Sequence, residues 1–129
     1  MIKYLFISNI SCNNKGLFKL NDSIIKLELN VTDINGEYSI YSSEFKNKSK
    51  IINVTINGVI KTINSSGSYN FEKLNINYVE IIMSDYVESC YGMFLSCGSI
   101  TKIDLSNFNT SQVIDMQFMF FNNKIFVYI

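Results

Sequence analysis

The sequence predicts an α+β fold rich in β-strands, in which a small antiparallel sheet or sandwich is followed by the start of a solenoid of strand–turn–short-helix units. Two observations support this prediction. Apolar and polar residues alternate around two Asn-Gly dipeptides in the first half of the chain, and a residue pattern in the second half recurs after 26 positions. A period of about 20 to 50 residues is typical of stacked units, each too small to bury its own apolar face.

The amino-acid composition excludes several kinds of chemistry. The 129 residues are 47% hydrophobic and carry no formal net charge, which indicates a globular protein. Without histidine, the chain cannot use Ser-His-Asp or Cys-His catalysis or a histidine-ligated zinc ion. It also lacks arginine, and we interpret the lysine cluster at positions 46, 48 and 50 as a solvated loop. Composition thus disfavours the commonest catalytic plans and leaves those based on carboxylates alone open. Because the repeat points to a binding surface or scaffold, we expect a protein that is not an enzyme and binds no cofactor, no metal and no nucleic acid.

The N-terminal segment MIKYLFISNISC predicts a strand over about residues 2–8. Its apolar stretch is short and has no A-x-A-like cleavage site, so no export signal is evident. No apolar run in the chain approaches the ~20 residues of a transmembrane helix, and no transmembrane segment is expected.

The two Asn-Gly dipeptides predict two β-hairpins, over residues 27–40 and 52–63. Asn35-Gly36 and Asn57-Gly58 are each flanked by alternating apolar residues. Type I′ turns need positive φ at both central positions, which Asn and Gly adopt at low cost. Residues 1–68 are thus predicted to form a β-rich domain that ends in the linker Ser65-Ser66-Gly67-Ser68.

The remaining residues, 69–129, are predicted to form the repeat region, beginning with a strand in which Leu74, Ile76 and Tyr78 alternate with polar residues. Apolar spacing then changes to three and four residues, which predicts a short amphipathic helix in each copy, with Asp85 and Glu88 as a capping pair at the first. The apolar stripe of the first predicted helix consists of Val87, Cys90, Met93, Phe94 and Cys97, and that of the second of Val113, Met116, Met119 and Phe120.

Three cysteines allow at most one disulfide. Cys90 and Cys97 fall on the apolar stripe, and their spacing matches neither CxxC nor a zinc pattern. We interpret them as buried structural thiols, with a Cys90–Cys97 bridge as the alternative.

Between the two stripes, Ile100, Ile103 and Leu105 have the spacing L-x-x-L-x-L, which predicts a strand. Lys102 and Asp104 point away from Ile103 and Leu105, on the side that a strand leaves exposed. They are the candidate binding residues of the chain, and no catalytic or metal-ligating residue is predicted.

Residues 84–121 resemble the BspA-type leucine-rich repeat of microbial cell-surface proteins. The features that match are Met93-Phe94, Cys97 three residues later, the run from Ile103 to Phe108 followed by Thr110-Ser111 and Val113, and the closing Asp115-Met116 and Met119-Phe120. The resemblance implies a leucine-rich-repeat-like solenoid with no catalytic residues. Because one full repeat is present, we expect the chain to be truncated or a fragment, and its uncapped last repeat to favour self-association.

The resemblance implies a non-catalytic cell-surface or extracellular protein that binds a protein partner on a host or neighbouring cell. An intracellular scaffold or regulatory interaction module is the alternative, consistent with the missing signal. A carboxylate-based hydrolase is a distant third, because Asp85, Asp104 and Asp115 are already explained by structural roles.

Overall fold

A computed structural model describes residues 4–6, 17–19 and 23–129 of the chain. Its strands are β1 (Tyr4–Phe6), β2 (Leu17–Lys19), β3 (Ser23–Val31), β4 (Tyr38–Ser39), β5 (Ile51–Ile56), β6 (Val59–Lys61), β7 (Ser68–Tyr69), β8 (Asn75–Met83), β9 (Ile100–Asp104) and β10 (Phe126–Tyr128). One three-residue 3₁₀ turn, Lys48–Lys50, precedes β5. Of the strand predicted at residues 2–8, the structure describes β1, which pairs with β2. The rest of that predicted strand and Cys12 lie outside the described residues.

Six strands form a mixed sheet in the order β10-β9-β3-β8-β5-β6. All neighbours are antiparallel except β10 and β9, which are parallel. The long central strands β3 and β8 pair over nine positions, from Ser23 opposite Met83 to Val31 opposite Asn75. Strands from both sides of residue 68 share this sheet, and whether residues 1–68 and 69–129 fold independently stays a prediction.

One face of the sheet is buried. Strict alternation places Ile25, Leu27, Leu29 and Val31 of β3 inward, since successive side chains of a strand point to opposite faces. The irregular segments that follow the strands supply the other half of the core, including the fully buried rings of Phe45, Phe71 and Phe94. The opposite face of β3 carries Lys26 and Glu28 and remains accessible.

The strand predicted after the linker is present as β8, but its buried face differs from the alternation of Leu74, Ile76 and Tyr78. Leu74 and Tyr78 are exposed, and the core side chains of this strand are Asn77, Val79, Ile81 and Met83. The longer apolar series from Val79 onward therefore decides which face is inward. Asn77 tolerates burial because its side-chain amide donates to the carbonyl of Lys73 and accepts from Asn57.

The hairpin predicted at Asn57-Gly58 is confirmed. Asn57 and Gly58 have φ of 50° and 82°, and β5 pairs with β6 directly across this turn, Ile56 opposite Val59. Positive φ at both central residues is the signature of the type I′ turn.

The hairpin predicted at Asn35-Gly36 is wrong. Strand β3 pairs with β8 and β9, while β4, which follows the dipeptide, pairs with β7. The turn begins at Asp33, whose carbonyl accepts from the amide of Gly36 and whose carboxylate accepts from that of Asn35. Gly36 is therefore the last residue of the turn rather than a central one, so this turn does not set a hairpin register.

The two predicted helices are also wrong. Within the first copy, the amides of Met93, Leu95 and Cys97 each close a turn on a carbonyl three residues earlier. The intervening amides donate instead to the second copy, and φ is positive at Gly92 and Ser96. An α-helix requires bonds from residue i to i−4 and negative φ throughout, so this backbone cannot be helical.

The two copies lie side by side. Amides at alternate positions of the first copy donate to carbonyls of the second at 2.8–3.0 Å, and β9 and β10 extend the parallel contact. These amides are Cys90, Gly92, Phe94 and Ser96, and their acceptors are Asp115, Gln117, Met119 and Phe121.

The α+β class and the leucine-rich-repeat-like solenoid predicted from the sequence are contradicted. The described residues form a mostly β domain on one six-stranded mixed sheet and contain no α-helix. The repeat is real in sequence, but its apolar stripe forms successive turns. All five stripe residues of the first copy are buried, whereas in the second copy Met119 is buried and Met116 is 44% exposed. No helix in the described part of the chain is long and apolar enough to cross a membrane.

Candidate interaction face

The accessible side of the sheet brings together charged and aromatic side chains from four strands. Lys102 and Asp104 lie on it, and Ile103 between them is fully buried, so the orientation predicted for β9 is correct. We call this surface the charged face. Its residues are Lys26 and Glu28 of β3, Tyr78 and Glu80 of β8, Lys102 and Asp104 of β9, and Tyr128 of β10.

Strand register arranges these residues in two rows across the sheet. One row runs Glu80, Lys26, Asp104 and Tyr128, each directly opposite the next. The second row runs Tyr78, Glu28 and Lys102. Opposite charges therefore alternate across the strands and along β3 and β9, and directly opposite pairs are the closest contacts a sheet face provides.

Contacts within the rows fix the charged side chains. The ammonium group of Lys102 lies 3.4 Å from the carboxylate of Glu28 and 4.8 Å from the ring centroid of Tyr128. Lys26 lies 3.8 Å from the carboxylate of Glu80. These side chains are between a third and a half exposed, so each ion pair stabilises the fold by only about 0–1 kcal/mol.

Asp104 is held ionised. The amide of Ser106 donates to its carboxylate at 2.9 Å, and the Ser106 side chain and this amide are the largest causes that lower its pKa. Lys26 and Lys102 add smaller effects in the same direction. The carboxylate therefore presents a fixed negative charge, in contrast to a general acid, which needs a raised pKa.

Tyr78 stands between two open depressions. On one side, a depression of about 180 Å³ is lined by Lys26, Glu28, Glu80, Lys102 and Asp104. On the other, a wider one of about 480 Å³ lies beside the Asn57-Gly58 turn and Lys73. Small-molecule sites enclose most of their ligand, whereas an exposed ring between open hollows is suited to insertion into a partner surface.

Metal-ligating groups and reactive thiols are not brought together in the described residues. This part of the chain contains no cluster of three or more metal-ligating side chains. Burial raises the pKa of Cys90 to about 11 and that of Cys97 to about 12, so both thiols stay protonated and poorly nucleophilic near neutral pH. Both are free, as the preferred sequence interpretation had it.

The other acidic and basic candidates have structural contacts. Asp115 accepts from the amide of Gln117 at 2.9 Å and faces Ser89 of the first copy, while the capping roles of Asp85 and Glu88 do not arise, because no helix begins there. The lysine cluster is dispersed by its contacts: the ammonium of Lys46 lies over the ring of Tyr91 and that of Lys50 over Tyr86.

Comparison with known proteins provides no relative. No protein-family model, no curated protein and no solved structure matches the chain. The function therefore has to be argued from the residues and their geometry.

Sequence reasoning identified two residues of the charged face and missed the other five. Lys26 and Glu28 alternate with core leucines, and this signal was readable as an exposed strand face. Nothing local, however, indicates that they lie opposite Asp104 and Lys102, more than 70 positions away in the chain.

Proposed function

We propose that the chain is a non-catalytic protein-binding protein of the cell surface, and that the charged face is its contact surface. The observation that carries the proposal is the alternating array of charges from three strands, flanked by the exposed rings of Tyr78 and Tyr128. Tyrosine is enriched among residues that contribute most to binding, and mixed charges set specificity and association rate.

The array favours a protein partner over a small molecule or nucleic acid. Its charges balance almost completely, with Lys26 and Lys102 against Glu28, Glu80 and Asp104. A polyanion requires a net positive surface, which this face lacks. A protein surface of complementary mixed charge pairs with the charged face and needs no deep cavity.

The proposed cell-surface location rests on the sequence resemblance of residues 84–121 to repeats of microbial surface proteins. The solenoid fold of those repeats is not part of the proposal. An intracellular interaction module is the second candidate, supported by the two unpaired, buried cysteines, since exported proteins commonly pair theirs. Fractionation of the native full-length product with protease treatment of intact cells separates them. Recovery in the cytosol, protected from protease, would refute the surface location.

The contact surface is tested by adhesion of beads coated with the chain to cells and to the purified surface proteins of those cells. We expect Tyr78→Ala to weaken attachment by about 2 kcal/mol, roughly thirtyfold in Kd. The matched control is Tyr86→Ala, because Tyr78 and Tyr86 are exposed to 58% and 55% but Tyr86 lies outside the face.

Charge reversal provides an independent arm. Lys102→Glu places a carboxylate beside Glu28 and is expected to slow association and reduce its salt dependence, while Lys61→Glu on β6 leaves both unchanged. Equal loss in the face and control variants, or no loss in either, contradicts the assignment of this face.

A further inference from the structure

The second copy of the repeat ends in a row of backbone amides that no described residue accepts. In the first copy, the amides of Cys90, Gly92, Phe94 and Ser96 donate to the second copy. The residues 26 positions later have corresponding amides, and no acceptor among the described residues receives them. We call Met116, Phe118, Phe120 and Asn122 the donor row.

The backbone of the two copies follows the same course, which fixes the direction of this row. Positive φ at Gly92 and Ser96 recurs at Phe118 and Asn122, with values of 56° and 59° at the latter two. The turn bond from Met93 to Cys90 recurs from Met119 to Met116. Since the first copy's amides point toward the second copy, the donor row points away from both.

Exposed apolar side chains surround the donor row. Ile114 is 88% exposed, Phe121 60% and Phe118 50%. The rings of Phe118 and Phe121 meet edge to face at 5.6 Å, so they form one patch. Beside them, β10 pairs with β9 on one side and with no described strand on the other.

We propose that this edge binds an apolar segment of a partner protein, which adopts the turn conformation of the second copy, lies parallel to it and accepts hydrogen bonds from the donor row. The first copy already holds such a segment, because its equivalent amides are occupied by the carbonyls of residues 115–121. The edge therefore continues an interface whose geometry the chain itself displays, and main-chain hydrogen bonds would supply the affinity, as they do in other modes of backbone recognition.

A second intact copy of the chain does not fit this chemistry. A two-fold contact between two such edges sets donors against donors. In a head-to-tail contact the matching carbonyls belong to residues 89–95 of the first copy, and those of Ser89 and Met93 already accept from Asn47 and Ser42. The partner has to supply free carbonyls, as an unpaired segment does.

The probe is a labelled synthetic peptide with the sequence of residues 111–124, titrated into the full-length chain. We expect saturable 1:1 binding, at least tenfold weaker for Ile114→Lys, a change at a solvent-exposed position that leaves the core intact. Ile60→Lys, 65% exposed on the opposite sheet edge, is the matched control and is expected to bind as the unmodified chain does. Tyr78→Ala is also expected to bind normally, which separates this edge from the charged face.

Amide hydrogen exchange measured by NMR provides the second readout. The donor-row amides are expected to exchange rapidly in the free chain and slowly in the complex. Slow exchange in the free monomer shows that the row is already satisfied and overturns the proposal, as does binding that leaves these amides unprotected. Protection that grows with protein concentration without peptide assigns the edge to self-association and also overturns it.

Discussion

Gly67 and Gly58 allow the cost of a tight backbone approach to be separated from the cost of left-handed conformation. Their φ values are nearly equal, +86° and +82°. A Cβ atom at Gly58 meets nothing within 4 Å, whereas at Gly67 it lies 2.2 Å from the carbonyl oxygen of Tyr41. The carbonyl of Gly67 also accepts from the amides of Ile40 and Tyr41, and these bonds extend the β4–β7 pairing.

The two alanine substitutions should therefore differ strongly in free energy of unfolding. Left-handed φ in a residue with a Cβ costs about 1–2 kcal/mol, which is the whole effect expected for Gly58→Ala. Gly67→Ala adds displacement of a backbone carbonyl that cannot rotate away, an overpacking cost of about 1–3 kcal/mol or more. We expect a total of about 2–5 kcal/mol, a large part of the stability of a domain of this size.

Equilibrium urea unfolding of the full-length chain measures both values, with intrinsic tyrosine fluorescence as the signal. The m-value should be the same for both variants, which confirms that the native states are equally compact. A difference of less than about 1 kcal/mol between them would refute the reasoning, because it would mean that the segment near Tyr41 yields freely. Failure of Gly67→Ala to accumulate as folded protein, while Gly58→Ala does, would agree with the larger cost expected at Gly67.

Two further predictions address the repeat. Met119 is 1% exposed and Met116 is 44% exposed. In urea unfolding, Met119→Ala is therefore expected to lower the free energy of unfolding by about 2–4 kcal/mol and Met116→Ala by less than about 1 kcal/mol. Equal losses would contradict the packing of the second copy. Burial raises the pKa of Cys90 and Cys97 from an ordinary 9.0 to about 11 and 12, so alkylation at pH 8, followed residue by residue by mass spectrometry, should be far slower in the folded chain than in urea. Because the thiol pKa values are raised in the folded chain, the contribution of the protonated thiols to folding stability is complete below pH 9 and should be lost between about pH 9 and 12. A free energy of unfolding that is independent of pH in that window would contradict burial of the thiols.

Local sequence patterns predicted those features that short-range chemistry controls. The alternation in β3 and the Asn57-Gly58 turn appear as expected, because successive strand residues face opposite sides and Asn-Gly suits the positive φ of a type I′ turn. At Asn35-Gly36 the contacts of Asp33 set a different turn. The outward direction of Lys102 and Asp104 followed in the same way from the buried neighbours Ile103 and Leu105.

Patterns failed where two local solutions were compatible with the same residues. Spacings of three and four suit a helix, but they equally suit successive three-residue turns whose remaining amides bond to a neighbouring copy. Left-handed φ at Phe118 has no sequence signal, because a bulky residue disfavours it and accepts it only under tertiary constraint.

The sequence by itself indicated the alternation of β3 and β9, the Asn57-Gly58 hairpin, the 26-residue repeat, the burial of Met93, Phe94 and Met119, and the absence of histidine chemistry. Only the tertiary structure decided that β3 lies between β8 and β9, and this pairing assembles Glu28 with Lys102 and Lys26 with Asp104 on one face. The physical reason is that the apolar inward face of a strand fits many partners, so long-range pairing is selected by how the whole core closes. The charged face and the donor row are both products of that closure.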